Sequence, residues 1–137
     1  MGRLILNQEE LGLSSIMERL TRARVKDCFK DEDTIYFVVA EGEMGKALGK
    51  GGVNIKRVQN ELGRRIKVIE YADNLVDFVR NIILPLKVAE IIDQNGTVII
   101  RDDKKKTKSL LIGRGRKNLT LIKRAVSRFF NVEVVVE

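Results

Sequence analysis

The stretch LGKGGVNIKRVQNELGRRIKVIE, from Leu48 to Glu70, decides the fold predicted for this chain. It opens with three glycines within four residues and continues with Ile55, Val58 and Leu62, whose spacing is that of one helix face. It closes with an apolar run typical of a strand. Glycine permits positive φ and lets a ligand approach the backbone closely. The stretch therefore predicts a tight loop, then a helix, then a strand.

The same pattern recurs 64 residues later, in LLIGRGRKNLT. Equivalent pairs are Gly49 and Gly113, Gly51 and Gly115, Asn54 and Asn118, Ile55 and Leu119, and Val58 and Ile122. A repeat of this length indicates two copies of one structural unit. We predict a first domain over residues 1–72, including an N-terminal helix, and a second domain over residues 73–137.

Each copy has the pattern of a helix, a hairpin, a short helix, the glycine loop, a longer helix and a final strand. In the first copy, QEELGLSSIMERLTRAR predicts an amphipathic helix, and the polar KDED separates the two strands of the hairpin. In the second copy, LKVAEIIDQNGTVIIR predicts the hairpin, with Asn95-Gly96 as its turn. A small three-stranded sheet packed against helices is an α+β fold.

The composition excludes several classes of chemistry. The chain has no His and a single Cys, so a Cys/His zinc site, a disulfide framework and a Ser/His/Asp triad all lack their residues. We expect Cys28 to be a buried strand residue. No apolar run reaches the roughly 18 residues that span a bilayer. The expectation is a cytoplasmic protein that is not an enzyme and has no catalytic residues, cofactor, metal, membrane partner or small-molecule substrate.

The charge of the chain favours an anionic partner. The net charge is +7 and the pI about 9.7, which suits nucleic acid, although an acidic protein or a membrane surface would also be attracted. Between Lys104 and Arg128 there are ten Lys or Arg residues and no Asp or Glu. On the last helix, Lys117, Arg124 and Arg128 share a face away from the apolar residues. The basic residues thus concentrate around the glycine loops.

The loops themselves have the features of a phosphate site, but not of a nucleotide-binding motif. Unpaired N–H groups at a helix start and the positive end of the helix dipole favour phosphate, and Lys50 adds a full charge. The P-loop pattern fails because Met44 and Gly51 stand where it needs Gly and Ser or Thr. The dinucleotide pattern G-x-G-x-x-G fails because Asn54 and Asn118 occupy its last position.

The first loop, Gly49-Lys50-Gly51-Gly52, and the order of elements around it resemble the KH domain, in its prokaryotic (type II) arrangement. The tandem pair resembles the short archaeal members of the NusA family of transcription factors. The resemblance implies that a GxxG loop clamps the backbone of single-stranded RNA while an aliphatic groove holds the bases. It also implies a role in transcription termination, antitermination or elongation. The second loop departs from GxxG because Arg116 replaces its closing glycine.

The predicted RNA-binding residues surround both loops, and Ile55, Val58, Leu119 and Ile122 are expected to hold the bases. In the first copy they are Lys46, Gly49, Lys50, Gly51, Gly52, Asn54, Ile55, Lys56, Arg57 and Val58. In the second copy they are Gly113, Arg114, Gly115, Arg116, Lys117, Asn118, Leu119, Ile122, Arg124 and Arg128. RNA polymerase and ribosomal components are the expected protein partners. Two alternatives stay open: a KH protein of ribosomal RNA or the ribosome, and a basic protein-interaction adaptor without RNA binding.

Overall fold

The structure is a computed structural model that describes residues 6–137. The chain divides into two compact units, one ending at Ala72 and the other beginning at Asp73. In the first unit the elements are α1 (Gln8–Thr21), β1 (Val25–Lys30), β2 (Thr34–Val39), α2 (Met44–Leu48), α3 (Val53–Leu62) and β3 (Arg65–Glu70). In the second they are α4 (Leu75–Ile83), β4 (Glu90–Gln94), β5 (Thr97–Arg101), α5 (Lys105–Ile112), α6 (Lys117–Ser127) and β6 (Glu133–Val136).

Helix α1 begins at a complete capping box and ends earlier than its sequence pattern predicts. The Asn7 side chain accepts a hydrogen bond from the Glu10 N–H at 2.7 Å, and the Glu10 carboxylate accepts one from the Asn7 N–H at 3.1 Å. The predicted helix runs to Arg24, but Arg22 adopts a left-handed conformation with φ 65°. The Thr21 hydroxyl then accepts the Ala23 N–H at 3.1 Å, which turns the chain toward β1.

The sheet of the first unit has the order β1-β2-β3, with β1 antiparallel and β3 parallel to the central strand. Alternate residues of β2 face the helices, and Phe37 packs there with Met17, Ala47 and Val58 in one fully buried cluster. Cys28 is a free, buried thiol in this cluster, as its sequence context predicts. The glycine loop joins α2 and α3 on this side of the sheet.

The second unit repeats the arrangement, with the sheet order β4-β5-β6 and β6 parallel to β5. The predicted turn at Asn95-Gly96 is confirmed, since both residues have positive φ. Strand β4 begins at Glu90, four residues later than the predicted Leu86, because the Leu86 N–H closes a turn onto the Ile83 carbonyl at 2.9 Å. Both units are three-stranded sheets packed against helices, so the predicted α+β class is confirmed.

The aromatic residues of the second unit pack internally. The ring of Phe129 meets Phe78 edge-on at 5.4 Å between centroids, and Phe130 lies 5.8 Å from the same ring. Phe78 is fully buried. These rings therefore stabilise the unit.

Candidate nucleic-acid interface

The two glycine loops have the same backbone conformation. Gly49 has φ 73° and ψ 170°, and Gly113 has φ 75° and ψ 166°. A Cβ on Gly49 would lie 2.9 Å from the backbone nitrogen of Asn54, and one on Gly113 would lie equally close to that of Asn118. Any side chain at the first loop position would collide with the start of the next helix. Glycine is therefore required there by space as well as by φ.

The last position of the second loop has the same backbone conformation as in the first loop, although it is not a glycine. Arg116 has φ 63° and ψ 19°, close to the φ 77° and ψ 17° of Gly52. A residue with a Cβ in this left-handed region costs roughly 1–2 kcal/mol relative to a right-handed one. The departure from the GxxG pattern thus changes the side chain at this position and leaves the path of the backbone unchanged.

Two asparagines at equivalent positions fasten the loops to the preceding helices. The Asn54 amide donates to the Lys46 carbonyl at 2.8 Å, at the end of α2. The Asn118 amide donates to the carbonyls of Leu110 and Leu111 at 3.1 and 3.0 Å, at the end of α5. Both asparagines are predicted RNA contacts, and the structure gives each an additional part in holding its loop. Their recurrence in both copies was the sequence signal for this role.

The helices that follow the loops begin without side-chain caps, as do α2 and α5. At the starts of α3 and α6, no side chain caps the first-turn N–H groups, and neither first turn contains an acidic residue. By contrast, Asn7 caps α1 and Asn74 caps α4, each by accepting a first-turn N–H. The positive ends of the α3 and α6 dipoles are therefore open to an external anion.

Cationic side chains surround the first loop. Lys50, Lys56 and Arg57 are exposed on the loop and on α3. Lys46, which is exposed, forms an ion pair at 3.2 Å with Glu43, which is half-buried. The pKa of Glu43 lies below its usual range, mainly because its carboxylate accepts the Arg24 N–H and secondly because of Lys46. Since the Lys46 side chain is itself exposed, its ammonium group is accessible to a phosphate.

The second loop carries more charge. Arg114, Arg116, Lys117 and Arg124 are all exposed. Helix α6 ends at Ser127, so the predicted ridge of charge along the helix stops one residue short of Arg128, which is half-buried at the C-cap. Gly51, Gly52 and Gly115 complete the two loops, and each of the three has positive φ.

The structure corrects part of the predicted groove. Val58 is completely buried and Ile122 is 1% exposed, so neither side chain is available to a base. Each lies on the same helix face as the apolar residue three positions before it, but about one turn further from the loop, where that face packs into the core. Ile55, which occupies in the first unit the position of Leu119 in the second, is half-buried. Leu119 is mostly buried, but it still lines an open groove.

In the second unit this groove runs between α6 and the edge strand β6. The part nearest the loop measures about 330 Å³ and is lined by Ile112, Arg116, Leu119, Lys123, Val134, Val135 and Val136. A further part, about 660 Å³, shares Lys123, Val134 and Val135 and adds Thr120, Arg124, Ser127, Val132 and Glu133. Sequence reasoning missed Lys123 and the β6 residues. The stretch without Asp or Glu around Lys123 was a sequence signal for this residue. For the β6 residues there was no such signal, because β6 is brought beside the helix by sheet pairing.

In residues 6–137, no three His, Cys, Asp or Glu side chains lie close enough together to hold a metal ion. No helix in that part of the chain has the length and apolar character needed to cross a bilayer.

Comparison with known proteins identifies the relatives of this chain. The family model described as KH domain matches residues 13–90. The protein called "Probable transcription termination protein NusA" of Thermoplasma acidophilum is 33% identical over 138 residues, covering 98% of this chain and 96% of that protein. Its namesake in Methanococcus vannielii is 39% identical over 89 residues, covering 65% of this chain.

The matched region spans only 51% of the Methanococcus protein. A protein with the same name in Methanocaldococcus jannaschii is 32% identical over 66% of this chain, and the matched region spans 50% of that protein. Among solved structures, the crystal structure of APE1850 superimposes with a TM-score of 0.77 at 34% identity. It covers 96% of this chain, which in turn covers 99% of it.

Proposed function

The chain belongs to the KH-domain family and to the archaeal NusA proteins within it, and on this premise we propose that it binds single-stranded RNA through both glycine loops. The observation that carries the proposal is the shared geometry of the loops. Each one precedes a helix whose first turn is uncapped, and each is flanked by exposed Lys or Arg side chains. An RNA phosphate supplies the negative charge and the hydrogen-bond acceptors that these helix starts lack.

The backbone and the bases of the RNA have separate sites in this proposal. A phosphate lies against the loop, where Lys50 in the first unit and Arg114 in the second add charge. The bases enter the groove beside the helix, where aliphatic side chains such as Leu119 offer an apolar surface. Residues 1–72 and 73–137 each act as one KH domain, so one RNA strand can be bound at two places.

The cellular process proposed for this RNA binding is transcription. Support comes from the name of the relatives, which assigns them to transcription termination. We therefore propose action on nascent RNA in termination, antitermination or elongation, with RNA polymerase as a protein partner.

Charge reversal at the loops tests the RNA site. In the variant Lys50→Glu with Arg114→Glu, affinity for a single-stranded RNA should fall at least tenfold at moderate salt. The slope of log Kd against log salt should decrease by about 1.4, since each lost phosphate contact in a single strand accounts for roughly 0.7. Fluorescence anisotropy with a labelled RNA across a salt series measures both quantities.

The matched control is Arg19→Glu with Lys87→Glu, which has the same net charge but changes exposed residues outside both loops. It should weaken binding only slightly. An equal loss of RNA affinity in the two double variants would contradict binding at the loops and would attribute the affinity to the overall charge of the protein. Absence of RNA binding by the wild-type protein at low salt would instead favour a protein-interaction adaptor.

A further inference from the structure

Helices α3 and α6 carry different side chains at a position that lines the groove of the second unit. Lys123 lies on α6 seven residues after Arg116, the last residue of its loop, and Gln59 lies on α3 seven residues after Gly52. Because both helices begin directly after loops of equal conformation, these two side chains occupy equivalent places, two turns along the helix. The second unit therefore has an ammonium group where the equivalent position of the first unit has a carboxamide.

Lys123 is the polar side chain that the two parts of the groove share. It lines both parts of the groove, beside the apolar side chains of Val134 and Val135. Its side chain is exposed, and among the residues that the structure describes it has no ion-pair partner. The part of the groove between Lys123 and the loop, about 330 Å³, lies within the usual range for small-molecule sites.

The position of Lys123 separates it from the RNA backbone. The loop cations, including Arg116, lie at the start of α6, where the helix N–H groups attract phosphate. In the far part of the groove the carboxylate of Glu133 offsets the charge of Arg124, so that part attracts phosphate less than the loop does. The backbone therefore lies toward the loop, and a base edge comes opposite the Lys123 ammonium.

An ammonium group donates hydrogen bonds and accepts none. Guanine presents two adjacent acceptors, O6 and N7, whereas adenine presents an acceptor at N7 beside a donor at N6. Lysine pairs with the guanine edge, and a carboxamide such as that of Gln59 matches the adenine edge. Resting on the proposed function, we infer that the groove of the second unit selects a guanine base of the bound RNA through Lys123.

Selection from a random single-stranded RNA pool, followed by sequencing, tests this inference with three full-length proteins. The wild-type protein should enrich guanine at one position. Lys123→Gln, which copies the first unit, should lose that enrichment and prefer adenine there. Two defined RNAs that differ only by guanine or adenine at this position should differ roughly tenfold in wild-type affinity, and this ratio should vanish or reverse in the variant.

The control Lys105→Gln removes the same charge from an exposed residue outside the groove lining. It should lower the affinity for both RNAs alike and keep the guanine preference. Wild-type protein that retains RNA without guanine enrichment, or a Lys123→Gln variant that keeps the wild-type preference, overturns the inference while the proposed function stands. Wild-type protein that retains no RNA at low salt refutes the proposed function itself.

Discussion

Replacing Gly49 and Gly51 in turn by alanine separates two reasons for glycine in the first loop. Both residues have positive φ, 73° at Gly49 and 65° at Gly51. A Cβ at Gly51 meets no atom within 4 Å, whereas one at Gly49 would lie 2.7 Å from Cγ and 2.9 Å from the backbone nitrogen of Asn54. The same chemical change therefore causes conformational strain alone at Gly51, and strain together with a collision at Gly49.

The expected magnitudes differ accordingly. At Gly51 the left-handed conformation costs alanine roughly 1–2 kcal/mol, partly offset by about 0.4–1 kcal/mol of lost entropy in the unfolded chain, so the net loss is about 1 kcal/mol. At Gly49 the backbone lies in a region that glycine alone commonly adopts. Displacing Asn54 would also break its hydrogen bond to the Lys46 carbonyl, worth about 1 kcal/mol. With overpacking added, the total loss is about 3 kcal/mol or more.

Urea unfolding followed by circular dichroism measures the free energy of unfolding of both variants. A domain of this size loses about 4–8 °C of Tm per kcal/mol, so melting should fall by roughly 10 °C or more in Gly49→Ala and by about half of that or less in Gly51→Ala. Equal destabilisation of the two variants would refute the argument from the Asn54 contact. A larger loss in Gly51→Ala would refute the loop geometry itself.

Two further predictions concern the second loop and pH. Arg116→Gly should raise the free energy of unfolding by about 0.5–1 kcal/mol, because glycine relieves the left-handed strain. The same variant should bind RNA several-fold more weakly, because a loop cation is lost. Tighter RNA binding by the variant in an anisotropy titration would contradict a binding role for the Arg116 side chain. Burial of Asp31 opposes its ionisation, but hydrogen bonds from the Tyr36 hydroxyl, at 2.7 Å, and from the Asp33 and Thr34 N–H groups leave its pKa below the usual 3.8. The stability from this lowered pKa is complete above the unfolded-state value near 3.8 and is lost as pH falls through the folded-state value. Asp31→Ala should therefore lower Tm at pH 7, with a difference from wild type that narrows in melts below pH 4; a constant difference would contradict it.

Local signals explain how much of this fold could be predicted from the sequence. The hairpin turn at Asn95-Gly96 depends on two residues that tolerate positive φ, so composition alone indicates it. The loops were visible for the same reason, and their duplication removed most of the ambiguity of a single glycine-rich segment. The end of α1 was missed because Arg22 adopts its left-handed conformation without any glycine or asparagine to announce it.

The groove shows where prediction from the sequence stops. Helical periodicity places Leu119 and Ile122 on one apolar face, but it does not say which edge of that face meets the sheet and which meets solvent. The parallel pairing of β6 with β5 decides this, because it brings Val134 and Val135 alongside α6. Such a contact joins residues far apart in the sequence, so the sequence pattern could not show that Lys123 lies in the groove.

The two loops reach one backbone conformation by different chemistry, and this difference bears on how the RNA is held. The first loop closes with Gly52, so a phosphate can approach the backbone there without meeting a side chain beyond Cα. The second loop closes with Arg116, and in the proposed binding mode its guanidinium replaces that close approach by a longer, charge-assisted contact. Both α2 and α5 follow two acidic residues, but α5 and its N-cap carry a run of lysines from Lys104 to Lys106, whereas α2 has Lys46 alone. Backbone donors thus dominate the first site and full charges the second, so most of the salt dependence of RNA binding should arise in the second unit.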